Sequence, residues 1–166
     1  MPRSPSFFAA LSALAVLLAP AAHALDPVCD VYLRAAEKSA RQPARHSTTD
    51  TDGLRMEVIV VGGRSYSRVG GRWSMVNTDL LAAERALTSA IRAGRYPLTG
   101  CRKIGPSKID GMPTTVYAYT LNVGAKRSVA TGETKAHIGA DGLVYAQSTN
   151  DAEVRYRYRG VAAPEL

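Results

Sequence analysis

The chain has 166 residues, with 21 Lys and Arg against 14 Asp and Glu, a formal net charge of +7, and 46% hydrophobic residues. That length holds one ordinary domain with a real core, and that apolar share excludes a chain too polar to fold. Beyond residue 24 no apolar run approaches bilayer-spanning length, which excludes a helical membrane protein for that part of the chain.

The N-terminus reads as a secretory signal peptide. Arg3 gives a positive start, Phe7 to Leu18 is an apolar run, Pro20 breaks it, and Ala22-His23-Ala24 supplies a small-x-small cleavage pattern. Cleavage after Ala24 leaves 25–166 as a single domain. The length and composition of the signal look bacterial, so the expected compartment is the periplasm. Cys29 stands behind Asp26-Pro27-Val28 rather than directly after the small residues, so no lipid anchor is expected.

Pro27 to about Gln42 is predicted as a helix, with Val28, Val31, Tyr32 and Ala35 on one side and Arg34, Glu37, Lys38 and Arg41 on the other. Pro43 ends it, and Arg45 to Asp52 reads as a polar connector. Strands follow at Leu54 to Val61, Arg64 to Val69 and Arg72 to Val76, joined by turns at Gly62-Gly63 and Gly70-Gly71. The period then changes. Asn77 or Thr78 caps a second helix with Asp79 in its first turn, and Leu80, Ala83, Leu87, Ala90 and Ile91 form an apolar stripe that must lie on the sheet. Gly94 and Pro97 stop it. Cys101 to Ile109 and Thr114 to Asn122 flank the turn signal Asp110-Gly111. Val123 to Gly132 reads as a loop, Thr134 to Ile138 and Leu143 to Thr149 as a hairpin, and Glu153 to Val161 as the last strand.

The fold class is therefore α+β: about eight mostly antiparallel strands in one large sheet that curls under its own twist, with an N-terminal helix and a second helix between the third and fourth strands, enclosing either a packed core or an open-sided pocket. The two cysteines, Cys29 and Cys101, are an even pair in an exported chain and are expected to form a disulfide. The positive charge is scattered. Its densest stretch, Arg155-Tyr156-Arg157-Tyr158-Arg159, alternates as a nucleic-acid strip would, but also as a strand with Arg outward and Tyr inward. An exported protein meets little nucleic acid, so no nucleic-acid partner is expected.

Three passages resemble the lipoprotein-carrier-like fold, the group of the periplasmic carriers LolA and LolB and their outer-membrane lipoprotein-sorting relatives. Gly70-Gly71-Arg72-Trp73, preceded by Ser65-Tyr66-Ser67-Arg68, looks like their glycine-basic-tryptophan hairpin. Ile109-Asp110-Gly111-Met112-Pro113-Thr114-Thr115-Val116-Tyr117 looks like their Asp-Gly turn and tyrosine strand. Lys135 to Val144 looks like their later hairpin, with His137 where an aromatic is usual and Val144 where a proline is. The resemblance implies an incomplete β-barrel, a half-barrel with a helical lid, whose concave face holds an acyl chain or another apolar ligand.

No catalytic constellation is visible. His46 and His137 have no ligand-spaced neighbours, Asp110 and Asp141 belong to turns, and no Gly-x-Ser-x-Gly occurs. Neither metal nor cofactor is expected. The candidate ligand-binding residues are the apolar and aromatic ones assigned to the inner face and lid: Met56, Val58, Val60, Trp73, Met75, Leu80, Leu87, Tyr117, Tyr119, Tyr145, Tyr156 and Tyr158. The leading expectation is a non-enzymatic periplasmic carrier or sensor of a lipid or acyl chain. The alternative is a protein-binding module, an inhibitor or an envelope-complex subunit, with a filled core and an acidic partner.

Overall fold

The computed structural model describes residues 25–123 and 132–166; the expected signal peptide and the expected loop after Val123, up to residue 131, lie outside the described residues. The chain begins with α1 (Pro27–Ser39) and the strands β1 (Ala44–Thr51), β2 (Leu54–Val61), β3 (Arg64–Val69) and β4 (Arg72–Val76). Then come α2 (Leu80–Arg92), β5 (Leu98–Ile109), β6 (Met112–Leu121), β7 (Thr134–Gly139), β8 (Val144–Ser148) and β9 (Ala152–Arg157). The strands form one antiparallel sheet in the order β4-β3-β2-β1-β9-β8-β7-β6-β5. Two meanders, β1 to β4 and β5 to β9, are joined where β9 pairs with β1. The sheet is not closed into a barrel: β4 and β5 are its two edges. The α+β class expected from the sequence is the class observed.

The ninth strand is β1, in the segment expected to be a polar connector. Its sequence, Ala44-Arg45-His46-Ser47-Thr48-Thr49-Asp50-Thr51, has little apolar content. Three β-branched threonines favour extended backbone, and Asp52-Gly53 supplies a tight turn into β2 with φ of 47° and 80°. Ladders on both sides, to β2 and to β9, hold the strand in place of hydrophobic alternation.

Asp26 caps α1 by accepting the Val28 and Cys29 N–H groups at 2.7 and 3.3 Å. Tyr32, Ala35 and the fully buried Leu33 face the core, while Val28 lies at its margin. The cap of α2 is Asp79 rather than Asn77 or Thr78, its Oδ1 accepting the Ala82 N–H at 2.8 Å. The buried side of α2 is also turned relative to the expected stripe. Leu81, Thr88, Ala90 and Ile91 are buried, whereas Leu87 is 36% exposed. The core proper joins Cys29, Tyr32, Leu33 and Ala35 of α1 to Ile91, Leu98, Tyr119, Ala136, Ile138 and Val144. The expected disulfide is present. Cys29–Cys101 ties α1 to β5, with the Cα atoms 5.2 Å apart.

The register defines the face on which the helices lie. Ser47 is opposite Val58 on one side and Tyr156 on the other, and Val154 is opposite Gln147, Gln147 opposite Ala136, and Ala136 opposite Tyr117. Since side chains alternate along strands, Arg45, Met56, Val58, Val60, Gln147, Tyr117, Tyr119, Val154 and Tyr156 share this inner face. Tyr32 of α1 stacks on Tyr119 with ring centroids 3.9 Å apart.

Candidate functional site

A cavity of about 360 Å³ lies between the helices and the inner face. Tyr32, Ala36 and Ser39 of α1 form one wall. Glu84, Leu87 and Thr88 of α2 form a second, and Arg45, Tyr119, Leu121, Val144, Gln147, Val154, Tyr156 and Tyr158 form the floor and far side. Its volume is near the lower end of the roughly 300–1,000 Å³ that small-molecule sites span. Its walls are mostly hydrocarbon and aromatic ring, with polar groups gathered in two places.

The first is a tyrosine–glutamine cluster. The Gln147 amide nitrogen donates to the Tyr32 and Tyr119 hydroxyl oxygens at 3.0 and 2.8 Å, and the Tyr156 hydroxyl donates to the Gln147 carbonyl oxygen at 2.7 Å. The Tyr158 hydroxyl donates to the Val144 carbonyl at 2.5 Å. Burial disfavours the phenolate, so the hydroxyls of Tyr32, Tyr119 and Tyr156 are raised above their ordinary pKa and that of Tyr158 is pushed up to about 12. The cluster is neutral and bonded within itself.

The second is an ion pair. Arg45 Nη1 and Nη2 donate to the two Glu84 carboxylate oxygens at 2.7 and 2.5 Å, a two-pronged bond from β1 to α2. Burial works against the Arg45 charge, but the Glu84 bonds outweigh it and hold its pKa above the ordinary value. The guanidinium also lies 5.2 Å from the Tyr156 ring centroid. Elsewhere α2 is tied to α1 by Arg92, which donates to Glu37 at 2.8 Å and to Asp30 at 3.3 Å, and by Arg85 donating to the Ala40 carbonyl at 3.2 Å.

Of the residues assigned to the site from sequence, Leu87, Tyr119, Tyr156 and Tyr158 line this cavity. Val58 and Val60 are on the same face but further along the sheet, and Tyr117 packs against the core cluster. Met56 is also on that face, at its exposed end beside Leu54 and Val69. Leu80 sits at the start of α2, outside the cavity lining. Trp73 and Met75 are on the opposite face from the one expected. The register sets them across from Arg68 and Tyr66, and the Arg68 guanidinium lies 4.9 Å from the Trp73 ring centroid. Tyr145 lies beside the cavity, its hydroxyl donating to Asp141 at 2.6 Å and its ring edge-on to Tyr158 at 5.5 Å.

Tyr32, Arg45, Glu84 and Gln147 were not picked out from the sequence. Tyr32 was on the expected helix stripe and Gln147 stands two residues from Tyr145 on an expected strand, so periodicity pointed at both. Arg45 carried no signal while its segment read as a connector.

The outer face carries different chemistry. His46 Nε2 is 2.8 Å from Glu57, its Nδ1 is 3.1 Å from Arg157, and Arg68 also donates to Glu57. Arg155 and Arg157 are exposed there while Tyr156 faces inward, as a strand alternation requires. Among the described residues, no three His, Cys, Asp or Glu side chains are grouped so as to hold a metal ion, and no helix is long and apolar enough to cross a membrane.

No family model matches the chain, and no curated protein matches it. The solved structures to which it is similar include those of three bacterial proteins. One is MucB, in the MucA/MucB complex of Pseudomonas aeruginosa (TM-score 0.44, 19% identity, 83% of this chain and 59% of that one). Another is LprF from Mycobacterium bovis (TM-score 0.49, 10% identity, 84% and 94%). The third is the lipoprotein LppX of Mycobacterium tuberculosis (TM-score 0.49, 14% identity, 84% and 97%). The alignment to a crystal structure of MucB alone spans 60% of that protein's length. These likenesses are distant, each at under 20% identity and with a TM-score below 0.5.

Proposed function

We propose that this is a non-enzymatic binding protein of the bacterial envelope, a carrier or sensor that holds one apolar or amphipathic molecule in the cavity under α2. The observation that carries this is the cavity itself, about 360 Å³ with Leu87, Leu121, Val144, Val154 and four tyrosine rings in its walls. A concave, mostly apolar space of this size with a few converging polar groups is the usual form of a small-molecule site. The small volume favours a single chain over a multi-chain lipid. The Cys29–Cys101 bridge suits an oxidising compartment, and the signal expected over residues 1–24 would deliver the chain to the periplasm. Native mass spectrometry of protein purified from its own periplasm tests the proposal. A bound apolar molecule, or uptake of a fluorescent fatty acid by the stripped protein, is the expected result. Protein that carries nothing and takes up nothing refutes it.

A second reading, a protein-binding module, is favoured by one observation. Leu54, Met56 and Val69 are 57%, 37% and 54% exposed at one end of the inner face. A contiguous apolar patch of this kind marks interaction sites. A low-salt pull-down from periplasmic extract that recovers a stoichiometric partner supports this reading, and recovery of none removes it.

A further inference from the structure

The Arg45–Glu84 pair is asymmetric. The Arg45 side chain is 6% exposed and the Glu84 side chain 41%. Glu84 is able to turn out to water at little cost, whereas Arg45 is fixed in the cavity wall and needs an anion wherever Glu84 goes, because an unpaired buried charge is strongly destabilising. The guanidinium uses two nitrogens on two oxygens of one carboxylate, the geometry that planar oxyanions match. The other polar groups of the cavity offer a ligand much less. The hydroxyls of Tyr156 and Tyr158 already donate to Gln147 and to the Val144 carbonyl, and the Gln147 amide already donates to Tyr32 and Tyr119. The exchangeable partner is thus Glu84.

We propose that the ligand is a single-chain carboxylate amphiphile. Its carboxylate replaces that of Glu84 on the Arg45 guanidinium, and its tail lies against Leu87, Leu121, Val144 and Val154. This rests on the cavity being a ligand site, and it adds the class of ligand and a consequence. Loading removes the two-pronged bond between β1 and α2, so the helix around Glu84 loosens while Arg92 still holds its far end to α1 through Glu37 and Asp30. The bound and empty forms then differ on the surface that carries α2.

Calorimetric titration of lipid-stripped mature protein with laurate below its micelle concentration and with dodecanol below its solubility limit tests the head group. Laurate should bind at least about tenfold tighter than dodecanol, equivalent to ~1.4 kcal/mol. Arg45→Gln should bring laurate down to the level of dodecanol. Glu84→Gln should bind laurate more tightly than the natural protein and should gain more in melting temperature from it. Equal binding of laurate and dodecanol overturns the carboxylate proposal while leaving the cavity a ligand site; failure of both to bind sinks the ligand-site reading as well. If Arg45→Gln does not fold, Glu84→Gln decides, and a weaker laurate affinity there overturns the proposal. Hydrogen exchange supplies the last check. Laurate should speed exchange in α2 around Glu84, and uniform protection of that segment would contradict the exchange of partners.

Discussion

Leu87 and Ile91 stand one turn apart on α2, and truncating each to alanine separates a cavity from a filled core. Ile91 is 4% exposed and belongs to the core cluster with Leu33, Leu98 and Val144. Ile91→Ala removes buried methyl groups and leaves a void, for which about 2–5 kcal/mol is the usual cost. Leu87 is 36% exposed and lines the open cavity, so a good part of its surface has no protein packed against it. Full burial of a leucine is worth roughly 1.5–3 kcal/mol, and the roughly two thirds realised here makes Leu87→Ala cost about 1–2 kcal/mol. Both changes end in alanine on the same helix, so propensity contributes only a few tenths of a kcal/mol to the difference. Urea unfolding followed by circular dichroism gives both values, provided the slope against urea is unchanged. Ligand content by native mass spectrometry is read on the same samples. Leu87→Ala should alter ligand retention at small cost in stability, and Ile91→Ala should do the reverse. If Leu87→Ala is as destabilising as Ile91→Ala, and neither protein holds a ligand, the space beside Leu87 is closed in solution and the reasoning fails.

Non-reducing mass mapping should find one bridged peptide pair joining Cys29 to Cys101; detection of free thiols on the native protein would show the bridge is absent. Cys29→Ser should lower stability by up to about 4 kcal/mol, the chain-entropy figure for a loop of this length, without removing ligand uptake, because neither cysteine lines the cavity. Alkaline titration checks the cavity tyrosines. Burial raises the folded-state pKa of Tyr32, Tyr119 and Tyr156, and that of Tyr158 to about 12, above the unfolded value near ~10. Their contribution to stability is therefore complete below pH ~10 and is lost as pH rises through the folded values. Ultraviolet absorbance should show these phenols ionising late, together with unfolding; early ionisation with the fold intact would mean they are open to water.

What the sequence made legible was what local chemistry decides. Both helices, the glycine turns and eight of the strands followed from periodicity and turn residues. Such signals are complete within a dozen residues. The alternation of Arg and Tyr from Arg155 onward gave the side of β9 that faces inward, and Tyr156 is indeed in the cavity wall. The errors share one cause: they concern features that two distant segments decide together. β1 has no apolar alternation of its own and is a strand because β2 and β9 pair with it. Trp73 and Met75 were assigned to the inner face because they are large and apolar, yet the register with β3 sets both on the other side, where Trp73 is used by Arg68. A shift of one residue reverses every side chain of a strand, so size and hydrophobicity alone do not choose the face.

The same limit explains why the most consequential pair was hidden. Arg45 and Glu84 are 39 residues apart, the one in a connector-like stretch and the other one helical turn from both Leu80 and Leu87 at the margin of the expected apolar stripe, and neither position names the other as its partner. They become a site only after β1 takes its place between β2 and β9 and α2 turns so that Leu81, Thr88 and Ile91, rather than Leu87, enter the core. That turn of α2 has two effects at once. It leaves Leu87 facing open volume, and it brings Glu84 to the one buried guanidinium in the cavity wall. A lid packed fully by its apolar stripe would need no such ion pair. A lid that spends part of its apolar side on a cavity is held by charge as well, and a charged ligand competes with that bond where a neutral one does not.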